Sequence, residues 1–313
     1  MSKFFLTGGS GFIGSHVVER LLKDGHSVTV YDNLVTGKRK LIESHMGNPH
    51  FKFLEADILD VEALTKFMPG HDIVWHLAAN TDIVKGNQIT DFDLKNCTVG
   101  TYNVLECMRK AGIKNLMFAS SATVYGDAPP KPLAESDGPL LTISLYGAGK
   151  LACEGMISAY CHLFDMHACI YRFGNVVGGN MWHGVILDFI NKLKNNPKEL
   201  EILGDGKQEK NFFMVEDCIE GMLTVYKKME KDCDVFNLGT DTYTTVTMIA
   251  DIVCDEMGLK GVKYNYTGGS RGWRGDAPYV HFNIEKVKQL GWQPNHTSDE
   301  AVRLAARRLL SKE

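Results

Sequence analysis

Tyr146 and Lys150 are four residues apart, which on a helix places them on one face. A free tyrosine, with a pKa near ~10, is a poor base at neutral pH. A neighbouring ammonium favours the phenolate and draws that pKa toward the working range. Ser121 closes an apolar run upstream, where its hydroxyl could donate to or accept from the same substrate hydroxyl, and Thr123 could share that role. Y-x-x-x-K by itself equally describes an ordinary helix pair, so what precedes it decides the reading.

What precedes it is an apolar strand, Lys3-Phe4-Phe5-Leu6, running into Thr7-Gly8-Gly9-Ser10-Gly11-Phe12-Ile13-Gly14. Gly9-x-Gly11-x-x-Gly14 fits a dinucleotide fingerprint, and Gly8-x-x-Gly11-x-x-Gly14 fits its wider-spaced variant. Side chains in such a turn would hold the backbone away from a pyrophosphate, and Gly14 lets the next helix pack closely. That helix is predicted from near Phe12, through Val17, Val18, Leu21 and Leu22, to a stop at Gly25. Its first amides and positive dipole end would face the anion. Ser27-Val28-Thr29-Val30-Tyr31 reads as the second strand, with Asp32 at its end, 18 residues past Gly14. An acid there accepts hydrogen bonds from ribose hydroxyls and repels a 2′-phosphate, which favours NAD over NADP. Lys38, Arg39 and Lys40 read as a solvated turn nearby.

The elements that must position these groups alternate along the first half. Strands are expected over His50–Asp57, Asp72–Ala79, Asn115–Ser121 and Ala168–Arg172. Helices are expected over Val61–Phe67, over Thr98–Ala111 with Val99, Tyr102, Val104, Leu105 and Met108 at core spacing, and around Tyr146. This order specifies an α/β fold of Rossmann type, a doubly wound parallel sheet, with a smaller C-terminal substrate-binding lobe. Gly8, Asp32, Asp57, Ala78 and Ser121 all fall at carboxyl ends of strands, where ligands of such sheets bind. The expected division is a dinucleotide-binding domain over 1–174, with 211–256 returning to it, and a substrate lobe over 175–210 and 257–313.

Composition agrees with a soluble enzyme. A chain of 313 residues, 44% hydrophobic, can bury a large core. A net charge of −4 offers no footprint for nucleic acid or an anionic membrane. No apolar run reaches spanning length, and the start lacks a signal-peptide pattern. The eight cysteines contain no C-x-x-C pair, and the spacing of Cys153, Cys161 and Cys169 suits neither metal ligation nor a compact disulfide framework. Reduced thiols in a cytoplasmic protein are expected. The eleven histidines form no H-E-x-x-H or other ligand set, so no metal is expected.

These segments resemble an extended short-chain dehydrogenase/reductase, and within it a nucleotide-sugar epimerase of the UDP-glucose 4-epimerase type. The resemblance runs over nearly the whole length. It rests on Thr7–Gly14, Asp32-Asn33-Leu34, Asp57-Ile58, His76-Leu77-Ala78-Ala79, Asn96, Ser120–Gly126, Tyr146-Gly147-Ala148-Gly149-Lys150 and Arg172–Val176. It implies that Gly8, Gly11, Phe12, Ile13, Gly14, Leu77, Ala78, Ala79 and Asn96 contact NAD. It further implies that Asp32 and Asn33 hold the adenosine ribose and Asp57 and Ile58 frame the adenine. Lys150 would bind the nicotinamide ribose, while Tyr146 and Ser121 act at the sugar C4 hydroxyl.

In the second half the resemblance places Asn175 at a diphosphate, Gly204–Gln208 (with Lys207 and Gln208) beside the nucleotide, and Arg271 and then Arg274 on phosphate, where guanidinium suits bidentate contact. It also implies a homodimer built from the helices around Thr98–Ala111 and Tyr146–Leu163. Three positions depart from the family pattern. Gly149 stands where a small hydroxylated residue is usual, and Lys210 where arginine is frequent, which implies a weaker or monodentate phosphate contact from Lys210. Ala122-Thr123-Val124-Tyr125 lacks the Asp-Glu pair of the 4,6-dehydratases and differs from the Ser-Glu of the decarboxylases, which argues against dehydration. The expectation is therefore NAD-dependent 4-epimerisation of an NDP-sugar. An enzyme that releases the 4-keto sugar after C4 oxidation uses the same residues, and a non-catalytic dinucleotide-binding protein is the remote alternative. The sugar and the base are not specified.

Overall fold

The computed structural model describes residues 1–80, 86 and 88–311. The chain starts with β1 (Lys3–Thr7), α1 (Phe12–Lys23), β2 (Ser27–Asp32), β3 (Phe51–Glu55), α2 (Val61–Phe67) and β4 (Ile73–His76). A π-helical turn, Leu94–Val99, leads directly into α3 (Gly100–Ala111), followed by β5 (Asn115–Ser121), α4 (Leu145–Phe164) and β6 (His167–Phe173). Next come β7 (Asn175–Val177), α5 (Val185–Asn195), β8 (Glu199–Ile202), β9 (Glu209–Lys210), β10 (Phe212–Met214), α6 (Val215–Lys228) and β11 (Cys233–Leu238). The last elements are β12 (Thr244–Thr245), α7 (Val246–Glu256), β13 (Lys263–Tyr266), β14 (Tyr279–Val280), α8 (Glu285–Gln289) and α9 (Ser298–Leu310). Among the described residues no helix is long and apolar enough to cross a membrane.

The main sheet has seven strands in the order β11-β6-β5-β4-β1-β2-β3, and the pairs from β5 through to β3 are parallel. The chain winds outward from β1 to β3, then crosses back to lay β4 on the other side of β1. That reversal opens a crevice at the carboxyl ends of β1 and β4, where doubly wound sheets bind ligands. Strands covered on both faces must be apolar throughout, and Phe4, Phe5, Leu6, Ile73, Val74 and Trp75 are buried accordingly.

Two compact units emerge. The first comprises Met1–Val124, Ser144–Arg172 and Val225–Phe236. Its core joins Phe5, Tyr31 and Val74 of the sheet to Val104, Leu105 and Met108 of α3 and to Cys153 and Ile157 of α4. The second comprises Tyr125–Ile143, Phe173–Thr224 and Asn237–Glu313, with a core of α5, α7 and α9 around Leu200, Ile202 and Met214. Of the return expected over 211–256, the stretch grouped with the first unit is Val225–Phe236, because β11 pairs at the edge of the main sheet.

One expectation about the core is corrected. Val104, Leu105 and Met108 are buried, but Val99 and Tyr102 are 39% and 47% exposed. Val99 ends the π-helical turn that precedes the helix, and Tyr102, two residues before Val104 in the regular helix, lies on the side of α3 away from the core.

Candidate active site

The glycine-rich turn is shaped by contacts that leave no room for side chains. Gly8 has φ +74°, and a Cβ there would stand 2.7 Å from Ala78 N. A Cβ on Gly14 would stand 2.2 Å from Gly8 O, so α1 could not begin where it does. Gly11 caps α1 without any side-chain hydrogen bond, and the first-turn amides of Phe12 and Ile13 are left for a ligand. This cradle, closed to side chains and lined by amides at a helix N-terminus, fits the pyrophosphate of NAD.

At the end of β2, the two carboxylate oxygens of Asp32 accept from Ser10 N at 2.9 Å and Leu34 N at 2.9 Å. Asp32 thus ties the turn to the strand, and it is 8% exposed. Burial raises its pKa, against the two amide hydrogen bonds. Asn33 Nδ2 donates to Asp57 Oδ2 at 2.8 Å, while Asp57 Oδ1 accepts from Leu59 N at 2.8 Å. Ile58 is buried against Gly100. Leu77, Ala78 and Ala79 follow β4, with Ala78 facing Gly8 across the crevice. Asn96 donates its side-chain amide to Phe92 O at 2.8 Å, within its own turn.

The catalytic candidates converge where β5 ends. Ser144 caps α4 by accepting from Gly147 N at 3.1 Å, which sets Tyr146 in the first turn. Ser121 favours the phenolate form of Tyr146, and its Oγ accepts from Thr123 N at 3.2 Å. Lys150 is 2% exposed, donates to Ala119 O at 2.6 Å, and holds its ammonium 5.8 Å from the Tyr146 ring centre. Burial drives the Tyr146 pKa up, and Lys150 and Ser121 pull against it without winning. The expected lowering is therefore present as a component, outweighed by desolvation. Burial acts against the Lys150 ammonium, but Cys97, Tyr146, Cys153 and Glu154 outweigh it and hold its pKa above the ordinary range. Thr123 Oγ1 is buried without a hydrogen-bond partner.

Further residues support this group without being evident from motif spacing. Glu154, one turn beyond Lys150, takes Arg172 Nη2 at 2.7 Å, Arg172 Nε at 3.0 Å and Ser120 Oγ at 2.5 Å. The clues were present, an acid four residues after Lys150 and an arginine inside an apolar strand. His76 is sandwiched between Thr7 Oγ1 at 2.6 Å and Thr101 Oγ1 at 3.0 Å, and burial lowers its pKa to about 3, helped by Lys150. Asp93 is 1% exposed and accepts from Asn80 Nδ2 at 2.9 Å. Gly149 has a physical reason: a Cβ there would stand 3.1 Å from Cys97 Cβ.

In the second unit, Asn175 donates to Asn211 O at 3.2 Å. Lys207 is exposed, whereas Gln208 is 2% exposed and donates to Leu203 O at 3.1 Å. Asp276 brings Lys210 and Arg271 together. Its carboxylate pairs with Lys210 Nζ at 2.8 Å and its carbonyl accepts from Arg271 Nη1 at 2.7 Å. Ala277 O also accepts from Lys210, whose pKa burial lowers against the pull of Asp276. Arg271 Nη2 meets Asp127 Oδ2 at 2.6 Å, and Arg274 is exposed. Asp127 and the pair of buried His281 with partly exposed Glu209, at 2.8 Å, carried no recognisable spacing.

Comparison with known proteins adds the family. Residues 4–239 match the model of the NAD dependent epimerase/dehydratase family. The chain is 32% identical over 306 residues to a putative UDP-glucose 4-epimerase of Methanocaldococcus jannaschii, covering 95% of each. It is also 32% identical to a UDP-N-acetyl-alpha-D-glucosaminuronate decarboxylase of Bacillus cytotoxicus, over 94% of this chain and 88% of that one. Its fold superposes on a crystal structure of UDP-galactose 4-epimerase with a TM-score of 0.86, at 36% identity and 99% coverage of both chains. The glycine cradle, the Tyr146–Ser121–Lys150 group and these matches agree: the chain is an enzyme of the NAD dependent epimerase/dehydratase family.

Proposed function

We propose that this enzyme is a nucleotide-sugar 4-epimerase, with Tyr146 as its base. The carrying observation is the convergence of Tyr146, Ser121 and Lys150 at the end of β5, in the unit that holds the glycine cradle. NAD, when bound, supplies the acceptor and donor of a hydride at the sugar C4. Tyr146 removes the C4 hydroxyl proton while Ser121 Oγ holds the same oxygen, and returns it when the alcohol re-forms. The Lys150 ammonium, fixed on Ala119 O, keeps a positive charge beside the forming phenolate. Thr123, with its buried unpartnered hydroxyl, serves as a second donor to the sugar.

In the second unit, Arg271 and Lys210 bind the diphosphate, Arg274 reinforces them, and Asn175, Lys207 and Gln208 line the nucleotide. Binding energy spent on that remote group lets the hexose turn and present its other face. Two copies pair through the helices around 98–111 and 146–163, a reading supported by the exposure of Val99, Tyr102 and Leu163.

The test combines a panel of UDP-, GDP-, CDP- and dTDP-sugars, product analysis by NMR, and the Tyr146→Phe variant. The expected result is a C4-inverted sugar without net NADH, lost in the variant while NAD stays bound. NADH stoichiometric with a 4-keto sugar would make the protein a C4 dehydrogenase. Near-normal turnover by Tyr146→Phe would remove the assigned base.

A further inference from the structure

Tyr146, Lys150 and Glu154 follow one another at intervals of four along one side of α4. The end of β5 meets two of them from consecutive residues. Ala119 O accepts from Lys150 Nζ at 2.6 Å, and Ser120 Oγ donates to Glu154 Oε1 at 2.5 Å. Ser121 is the next residue along the strand. The acceptor at Glu154 is itself held still, because Arg172 of β6 grips both of its oxygens, Nε to Oε1 at 3.0 Å and Nη2 to Oε2 at 2.7 Å. Ser120, Glu154 and Arg172 are 2%, 6% and 4% exposed, so water does not compete for these bonds.

Two contacts constrain what one leaves free. A helix tied to a strand by the flexible Lys150 side chain alone could pivot about Ala119 O. The second contact, four residues on and about 6 Å further along the helix axis, stops that rotation. It also fixes the strand end, since successive side chains of a strand alternate faces and a bond that sets the direction of Ser120 sets that of Ser121. A hydroxyl bonded to an anchored carboxylate is short and strong, which suits it to this work.

We infer that Glu154, anchored by Arg172, is a positioning residue for the reaction, acting through Ser120 to hold the end of β5 in register with the Tyr146–Lys150 face of α4. This rests on the assignment of Tyr146 as base. Glu154 does not meet the reacting atoms in this role; it decides where Ser121 Oγ and the Lys150 ammonium stand when Tyr146 ionises. The groups that act on Tyr146 are Lys150 on α4, Ser121 on β5, Cys97 in the π-helical turn and Asp93 just before it. Lys150 and Ser121 favour the phenolate, while Cys97 and Asp93 oppose it. Loosening the first two leaves the phenol harder to ionise.

The test uses two forms of the full chain. Ser120→Ala deletes one hydroxyl and leaves the Arg172–Glu154 pair whole. Glu154→Leu joined to Arg172→Met removes the acceptor and keeps apolar bulk in its place. Turnover of the NDP-sugar used by the parent is measured against pH, beside urea denaturation and the tyrosinate titration of Tyr146. That titration is read as ultraviolet difference absorbance against the same protein carrying Tyr146→Phe. In both forms kcat is expected to fall about ten- to a hundredfold, with KM within about twofold of the parent, at temperatures where the protein is folded. The acid limb of kcat and the Tyr146 midpoint are expected to move to higher pH by about half a unit. A parent-like kcat and Tyr146 midpoint in either form, with only a lower denaturation midpoint, would make the network a packing device and overturn the proposal. A raised KM with kcat kept would place the loss in substrate binding and overturn it equally. If the parent turns over no NDP-sugar, the epimerase reading fails, and the Tyr146 midpoint in the two forms still decides the part played by Glu154.

Discussion

Arg172 and Glu154 form a two-pronged pair, Nη2 to Oε2 at 2.7 Å and Nε to Oε1 at 3.0 Å, with side chains only 4% and 7% exposed. It joins β6 to α4 one turn past Lys150, and through Ser120 it reaches the residue beside Ser121. A buried pair is costly to halve, because the surviving charge keeps neither water nor its counter-charge. Arg172→Met is expected to destabilise the protein by about 3–5 kcal/mol in urea denaturation. Pairing it with Glu154→Leu should recover most of that loss. Additive losses in the double variant would show that the two residues act separately.

His76 supplies a pH dependence whose direction can be worked out. Its folded pKa is lowered to about 3, by burial first and by Lys150 second, against an ordinary value of 6.5. Between those values the unfolded chain takes up a proton that the native state refuses, so stability falls as pH drops below 6.5. From pH 7 to pH 5 the loss from this group is about 2 kcal/mol. Denaturation midpoints measured across that range for the parent and for His76→Asn should converge toward acid. A constant difference between them would mean that His76 takes up its proton alike in the folded and unfolded chain.

The glycine cradle sets the third expectation. Gly14→Ala forces a Cβ onto Gly8 O, a backbone atom with no room to retreat. The turn must open, and the amides lose their aim at the pyrophosphate. NAD affinity is expected to fall at least about 100-fold by calorimetry, in line with a few kcal/mol of lost anion contacts. Gly25→Ala, at a positive φ with open space around it, tests strain alone and should leave NAD affinity unchanged.

Much of this was legible in the residues themselves, for physical reasons that differ by element. β5 and α2 fall on their expected bounds because an apolar run or a capped amphipathic segment has one way to bury itself. The π-helical turn was not legible. Nothing in Leu94–Val99 marks an extra residue, and the insertion becomes visible only when Cys97 is found against α4. Tyr146, Lys150 and Ser121 announced themselves through helical spacing and a strand end. Asp127 and Asp276 did not, because an acid's role in holding a cation depends on loops brought together from 144 residues apart in the case of Asp127 and Arg271.

That last pair carries the final expectation. Arg271 Nη2 rests on Asp127 Oδ2 at 2.6 Å, with the two side chains 34% and 48% exposed. If Arg271 binds the diphosphate, Asp127 competes with the ligand for it. A half-exposed ion pair contributes about 0.2–1 kcal/mol, enough to weaken binding but not to block it. Asp127→Asn is therefore expected to tighten the nucleoside diphosphate of the sugar nucleotide that is turned over about two- to fivefold by calorimetry. The gain should narrow as salt rises and the pair in the parent is screened. Arg271→Ala should weaken the same nucleoside diphosphate by tenfold or more, since a guanidinium paired with phosphate makes charge-assisted bonds that nothing else at that position replaces. Unchanged affinity in Arg271→Ala would remove the arginine from the phosphate site. Weakened affinity there, with no gain in Asp127→Asn, would mean that the guanidinium serves both carboxylate and phosphate at once, which its five donors allow.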